Sequence, residues 1–193
     1  LLDLFDRHGV RATFFVCGRD LRAKGATVQA VAVRDIVRRG HEVANHSALH
    51  RNGYARLSES ELRGDVRDAH DRIADATGVA PVGFKAPGFS YNEGLPCVLG
   101  ELGYRYDSSI LPTWWAPAIR LAQRVASGGH VDPTHYGRAR YGARPLRPHP
   151  LAAGAALVEA PVTTMPLLRL PMHSTFVMRF GRWLFDLGFG LAR

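Results

Sequence analysis

Apolar and polar positions along this chain fall into blocks whose period switches between helix and strand. Leu1, Leu2, Leu4 and Phe5 recur at helical spacing ahead of Gly9, predicting a short opening helix. Residues 11–17 are an apolar run closed by Gly18 and read as a buried strand. Val33, Ile36 and Val37 continue a helix that Thr27 can cap and Gly40 stops, and residues 41–45 make a short strand. Ser58-Glu59-Ser60-Glu61 has the form of a capping box, in which each side chain satisfies a free backbone donor at the other end. The helix it opens is predicted to reach about Thr77, with Gly78 as its stop. Residues 82–86 form the next strand, 95–102 a helix, and 104–106 a strand ending at Asp107.

Strands separated by helices with short connections must pair in parallel through helical crossovers, as in an α/β barrel or an open α/β sheet. From Pro112 the pattern loosens into a helix over 119–126, an arginine-rich loop, a strand near 156–159, and an amphipathic terminal helix. That last helix, over 176–191, carries Phe180, Leu184 and Leu187 on one side and is read as packing on the core rather than on a membrane surface. The whole reads as one domain over residues 1–193, with a long Arg/Pro-rich insertion at about 113–155.

Composition narrows the class. A chain of 193 residues, 46% hydrophobic and 22% charged, is neither disordered nor fibrous. No apolar run approaches the ~20 residues of a spanning helix. No leader is recognised, so the cytoplasm and the cell envelope both remain open as compartments. Because the chain starts already in helical period, it is expected to be a piece of a longer protein. Cys17 and Cys97 are too few for a disulfide framework and are expected to be buried thiols. The net charge of +8 comes almost wholly from arginine, since Lys24 and Lys85 are the only lysines. Arginines gather only at 138–147, read as a solvated loop, so no nucleic-acid partner is expected.

In α/β folds chemistry collects where strands end, because the loops leaving that edge converge. His46 and His50 follow the second strand, and two imidazoles four residues apart can bind one cation or can be structural. The His-Glu-x-x-His form of a zinc peptidase is absent. Lys85 leaves the third strand, and Asp107-Ser108-Ser109 leaves the fourth, as a polar cluster or a turn cap. Trp114, Trp115 and Tyr91 are aromatic faces for stacking or for the core.

Gly40-His41-Glu42-Val43-Ala44-Asn45-His46-Ser47-Ala48-Leu49-His50 resembles the metal-binding segment of the polysaccharide deacetylases, the carbohydrate esterases of the chitooligosaccharide deacetylase type. The neighbouring segments agree in order: Gly9 to Val16, Leu57-Ser58-x-x-Glu61, Thr77-Gly78, Phe84-Lys85-Ala86-Pro87-Gly88, and Glu101 to Ser109. The likeness is close over about residues 1–112 and looser at Glu159-Ala160-Pro161-Val162 and Leu170-Pro171-Met172-His173.

The resemblance implies a distorted, incomplete (β/α) barrel that lacks its first strand. It implies a divalent metal, zinc ahead of cobalt or manganese, with His46 and His50 as ligands. The activity implied is removal of acetyl groups from amino sugars of a polysaccharide or glycolipid. Lys85 stands where the family has an arginine that orients the catalytic base, and Asp107 falls near the acidic position of a later motif. His173 matches the letters of the closing motif that supplies the acid, and Pro87, Gly88 and Tyr91 fall at substrate-binding positions. The family's paired aspartates, one a ligand and one the base, have no counterpart, because Asp3 and Asp6 sit in the first helix. The chain is therefore expected to be inactive alone. The alternative is a non-catalytic carbohydrate-binding module on the same fold.

Overall fold

The computed structural model describes residues 1–21, 28–151 and 156–172, with 181, 183, 186–188 and 190. Thr27, His173 and most of the predicted terminal helix lie outside them.

The helices are α1 (Leu2–Arg7), α2 (Val28–Arg38), α3 (Glu59–Thr77), α4 (Leu95–Glu101) and α5 (Ala116–Ser127). The strands are β1 (Thr13–Val16), β2 (Glu42–Asn45), β3 (Gly83–Phe84), β4 (Tyr106–Asp107), β5 (His149–Pro150) and β6 (Val158–Glu159). They form one sheet in the order β1-β2-β3-β4-β6-β5, parallel except where β5 runs against β6. The expected alternation of strand and helix is present. Among the described residues the sheet is open, with β1 and β5 at its edges, and does not close into a barrel. β5 was not expected from the sequence: it falls in the Pro-rich stretch and pairs through His149↔Glu159 and Pro150↔Val158.

The first three of the four parallel crossovers carry α2, α3 and α4; α2 and α3 pack on β2, and α4 packs on α3. α3 buries Leu62, Val66, Ala69 and Ile73, one stripe at helical spacing. Leu62 and Val66 join Phe84, Leu95, Leu99 and Tyr104 in the main core, while Ile73 meets Val33, Val43 and Leu21 in a second cluster. The capping box is formed as expected: Ser58 Oγ accepts from the Glu61 backbone, and Glu61 accepts from the Ser58 backbone at 2.9 Å. Gly78 ends the helix in the left-handed region at φ 76°.

Outside the core, Arg39 gathers Asp3, Asp6 and Asp35 and ties α1 to the end of α2. His41 sits edge-on between Phe5 and Phe14 beneath that tie. Cys17 is buried as expected, but Cys97 is exposed. It lies on the outer side of α4, whose inward side is occupied by Leu95, Val98 and Leu99. Among the described residues no helix is long and apolar enough to cross a membrane.

Removing the Ser58 hydroxyl leaves a helix-start donor without its partner. Ser58→Ala is expected to cost about 1 kcal/mol, a fall in Tm of roughly 2–4 °C, with the fold retained in a circular-dichroism melt.

Candidate active site

β2 ends at Asn45, which is fully buried. Its Nδ2 donates to the Val66 carbonyl of α3 at 2.9 Å and to the Tyr104 hydroxyl at 2.7 Å, and its Oδ1 accepts the Ser47 N–H at 2.8 Å. The chain then turns sharply through Ser47 (φ 66°) and His50 (φ 51°). These left-handed conformations are held by bonds: His50 N–H to Ser47 Oγ (2.8 Å), Ala48 N–H to the buried Asp65 (3.1 Å), and Gly18 N–H to the Ser47 carbonyl (3.0 Å). Gly18 allows a close approach: a Cβ there would lie 3.0 Å from the Ala69 backbone and 3.1 Å from that of Ala48, so both would have to give way by a few tenths of an ångström.

The turn brings the His46 and His50 rings together, 5.0 Å between centroids and near perpendicular. His46 Nδ1 lies 2.7 Å from the Lys85 carbonyl. A carbonyl only accepts, so Nδ1 carries the hydrogen and Nε2 keeps a free lone pair. Burial pushes the His46 imidazolium down to about 4, opposed by that carbonyl bond and aided by the charges of His50 and Lys85. A neutral imidazole oriented by a carbonyl is the form that ligates a metal. The pair therefore fits two ligands of a divalent cation. Among the described residues no set of three His, Cys, Asp or Glu side chains could complete it.

Lys85 follows β3. Its ammonium donates to the Ser108 carbonyl at 2.9 Å and hydroxyl at 3.2 Å, and stands over the Phe15 and Phe89 rings at 5.1 and 5.3 Å. Burial lowers its pKa to about 8, against the pull of Asp107 and Glu159. These two carboxylates are fully buried. They are register partners on the adjacent parallel strands β4 and β6, so they project from the same side of the sheet. Asp107 accepts from the Ser109 hydroxyl and Glu159 from the Ile110 N–H (2.9 Å), and each leaves one buried oxygen unpaired. Burial pushes both carboxyls well above the ordinary range. Glu159 was not singled out from the sequence. A lone carboxylate closing the apolar run Ala156-Leu157-Val158 was the available signal.

Residues 135–141 cover the other side of the β3 exit. Pro87 and Tyr91 are buried, and Tyr91 meets Tyr141 edge-on. Gly88 (φ 59°) accepts Tyr136 N–H at 2.8 Å, and the His135 ring lies 2.7 Å from where a Cβ would stand. Trp114 and Trp115 are 47% and 45% exposed. Trp115 Nε1 donates to the Leu168 carbonyl, and Trp114 packs on Gly142. The structure thus brings His46, His50, Lys85 and Asp107 to one rim, with Pro87, Gly88 and Tyr91 beside it under residues 135–141. His173 lies outside the described residues.

A parallel α/β sheet with a paired-imidazole site on its carboxyl rim is the class of protein these features define. The chain belongs to the polysaccharide deacetylase family, whose profile matches residues 1–106. It is 32% identical to a chitin deacetylase of Colletotrichum lindemuthianum over 58% of this chain and 45% of that protein. It is 29% identical to a peptidoglycan deacetylase of Helicobacter pylori over 61% of this chain and 38% of that one. The chain thus spans less than half the length of these curated relatives. A crystal structure from Mycobacterium smegmatis assigned to the polysaccharide deacetylases superposes with a TM-score of 0.58 at 28% identity, covering 84% of this chain and 44% of that one.

Two outcomes are expected. Asn45→Ala strands the Ser47 N–H, the Val66 carbonyl and the Tyr104 hydroxyl, and should cost about 2–3 kcal/mol, a fall in Tm of roughly 5–10 °C. A folded Glu159 that keeps its proton while the unfolded chain loses it makes stability fall as pH rises above the ordinary carboxylate range. The gain in stability from Glu159→Gln over the natural chain should therefore grow between pH 5 and pH 8, by about 1 kcal/mol. Taking the difference between the two proteins cancels His46, whose lowered pKa acts in the opposite direction, and reads Glu159 together with Asp107 and Lys85, which titrate with it as one cluster. An equal gain at both pH values would show Glu159 ionised in the folded protein.

Proposed function

We propose that the chain carries the imidazole half of a metal-dependent deacetylase that removes acetyl groups from amino sugars of a polysaccharide or glycolipid. One observation carries this reading: His46, its Nδ1–H committed to the Lys85 carbonyl and its Nε2 bare, stands beside His50 at the rim of the sheet. A divalent cation bound there, zinc ahead of cobalt or manganese, would polarise the acetyl carbonyl and acidify a bound water.

The chain's own side chains have separate tasks in this reading. His46 and His50 hold the cation. Lys85, fixed by Ser108, supplies a buried positive charge beside the pair, which orients a carboxylate base less rigidly than an arginine fork would. Asp107 and Glu159 lie on the strands beside Lys85, and Asp107 offsets its charge when ionised, while Glu159 keeps its proton. His173 is assigned the acid that protonates the leaving amine. The ligand carboxylate and the base have no counterpart in this sequence, so the chain alone is read as inactive. Acetylated polymers of this kind favour the cell envelope over the cytoplasm as the working compartment.

A second reading, a non-catalytic carbohydrate-binding module, is favoured by the two half-exposed tryptophans at the start of α5. Zinc titration by calorimetry, with acetate release from an acetylated chitooligosaccharide measured alongside, separates the two. The chain should take up one zinc weakly, His46→Ala should bind at least about tenfold more weakly, and no acetate should appear. If zinc is not bound at all, the histidines are structural, and quenching of tryptophan fluorescence by the oligosaccharide would then favour the binding module.

A further inference from the structure

The insertion builds a cavity of about 110 Å³ against the family domain, lined by Arg56, Tyr91, Thr134, Arg138 and Tyr141 among others. At about 30 Å³ per water it has room for some four waters, well below the ~300 Å³ of sites that take a drug-sized ligand. It suits a group of a few atoms, not a sugar ring.

Its walls are held in place. Arg120 clamps the His135 and Gly137 carbonyls at 2.7 and 2.9 Å, and the Asp132 carboxylate accepts both the Thr134 N–H and hydroxyl at 2.7 and 2.6 Å. Ser90 donates to Thr134 at 2.6 Å and accepts the Ala55 N–H at 2.9 Å, which locks the insertion onto the chain just before Tyr91.

Two of the residues lining the cavity are arginines, both exposed to solvent. Arg56 reaches Asp132 only at 3.4 Å, and the Arg138 guanidinium has no hydrogen bond or ion pair among the described residues. The nearby carboxylates are already engaged, Asp132 by Thr134 and Glu93 by Arg140 (2.9 Å) and the Tyr141 hydroxyl (3.3 Å). Two guanidiniums, one of them without a hydrogen bond among the described residues, lining a cavity of this size match a small oxyanion.

We infer that the cavity binds a carboxylate or phosphate group. Tyr91 lies two residues beyond Phe89, which covers Lys85, so the cavity is a neighbour of the rim. On the reading above, the group would be an acidic substituent of the polymer. That placement rests on the deacetylase reading; the ligand class does not.

The test needs neither metal nor acetylated substrate. Sodium phosphate, acetate and lactate are titrated into the chain by calorimetry at constant ionic strength made up with chloride, using the natural chain, Arg138→Gln, and Arg147→Gln as a control elsewhere on the insertion. Saturable millimolar binding is expected, about tenfold weaker in Arg138→Gln and unchanged in Arg147→Gln. Tighter phosphate would point to a phosphorylated polymer, and tighter acetate or lactate to an acidic sugar. Amide shifts of Thr134 and Gly137 on adding phosphate to the natural chain read the same site without a variant. No saturable binding, or an equal loss in both variants, would overturn the inference. Oxyanion binding without zinc uptake would leave it standing while removing the deacetylase reading.

Discussion

The rim of this domain depends on one buried amide. Asn45 ends β2 in the middle of the parallel sheet, and its side chain bonds at once to α3, to Tyr104 just before β4, and to the turn that carries the two histidines. A residue that only continued the strand could not do this. The Asn45 carbonyl oxygen of the side chain takes the Ser47 N–H and so starts a turn in which Ser47 and His50 adopt positive φ, at a cost on the order of 1 kcal/mol each for residues with a side chain. That strain is what sets the two imidazoles side by side. In the extended conformation residues four apart would lie roughly 13 Å from one another.

A second constraint lies on the neighbouring strands. Placing Asp107 and Glu159 in register buries two carboxylates with a single lysine near them. Taking three charges out of water is costly, and the structure offsets that cost only in part: a serine hydroxyl for Asp107, a backbone N–H for Glu159, and one unpaired oxygen on each. Protonating the carboxyls relieves the rest, which is why burial shifts both upward. No direct ion pair within 4 Å forms between Lys85 and either acid, because the ammonium is turned toward Ser108 and the two phenylalanine rings. A buried polar cluster of this kind is a weak source of stability, and its position at the strand ends is better explained by the rim it supports.

Much of this was legible in the sequence where local chemistry decides. The start of α3 at Ser58 and its end at Gly78 follow from side-chain and backbone groups within one helical turn, so a pattern of a few residues was enough. Strand lengths were harder. Regular pairing at β3 and β4 covers two residues each, yet ladder bonds continue beyond them, from Lys85 N–H to Asn45, Ser108 N–H to Phe84 and Ala160 N–H to Asp107. The predicted runs are extended backbone that shares only part of its length with a partner, and the partner's position is not written locally. β5 escaped notice because Pro150 argues against a strand, and an edge position tolerates it. The histidine pair was visible through its spacing and its place after β2. The partnership of Asp107 with Glu159 was not, since 52 residues of chain separate them and only the register of β4 with β6 joins them.

The segment beyond the family match shows why family likeness and site architecture part company in this chain. The family profile ends at residue 106, yet segments beyond it pack onto positions inside the matched region: Tyr136 on Gly88, Thr134 on Ser90, Tyr141 on Tyr91. Residues 87–91 are therefore shared property. On one side Phe89 covers Lys85 and faces the imidazole rim, and on the other Tyr91 lines a cavity that residues 133–141 complete. A turn held from both sides cannot move without disturbing both.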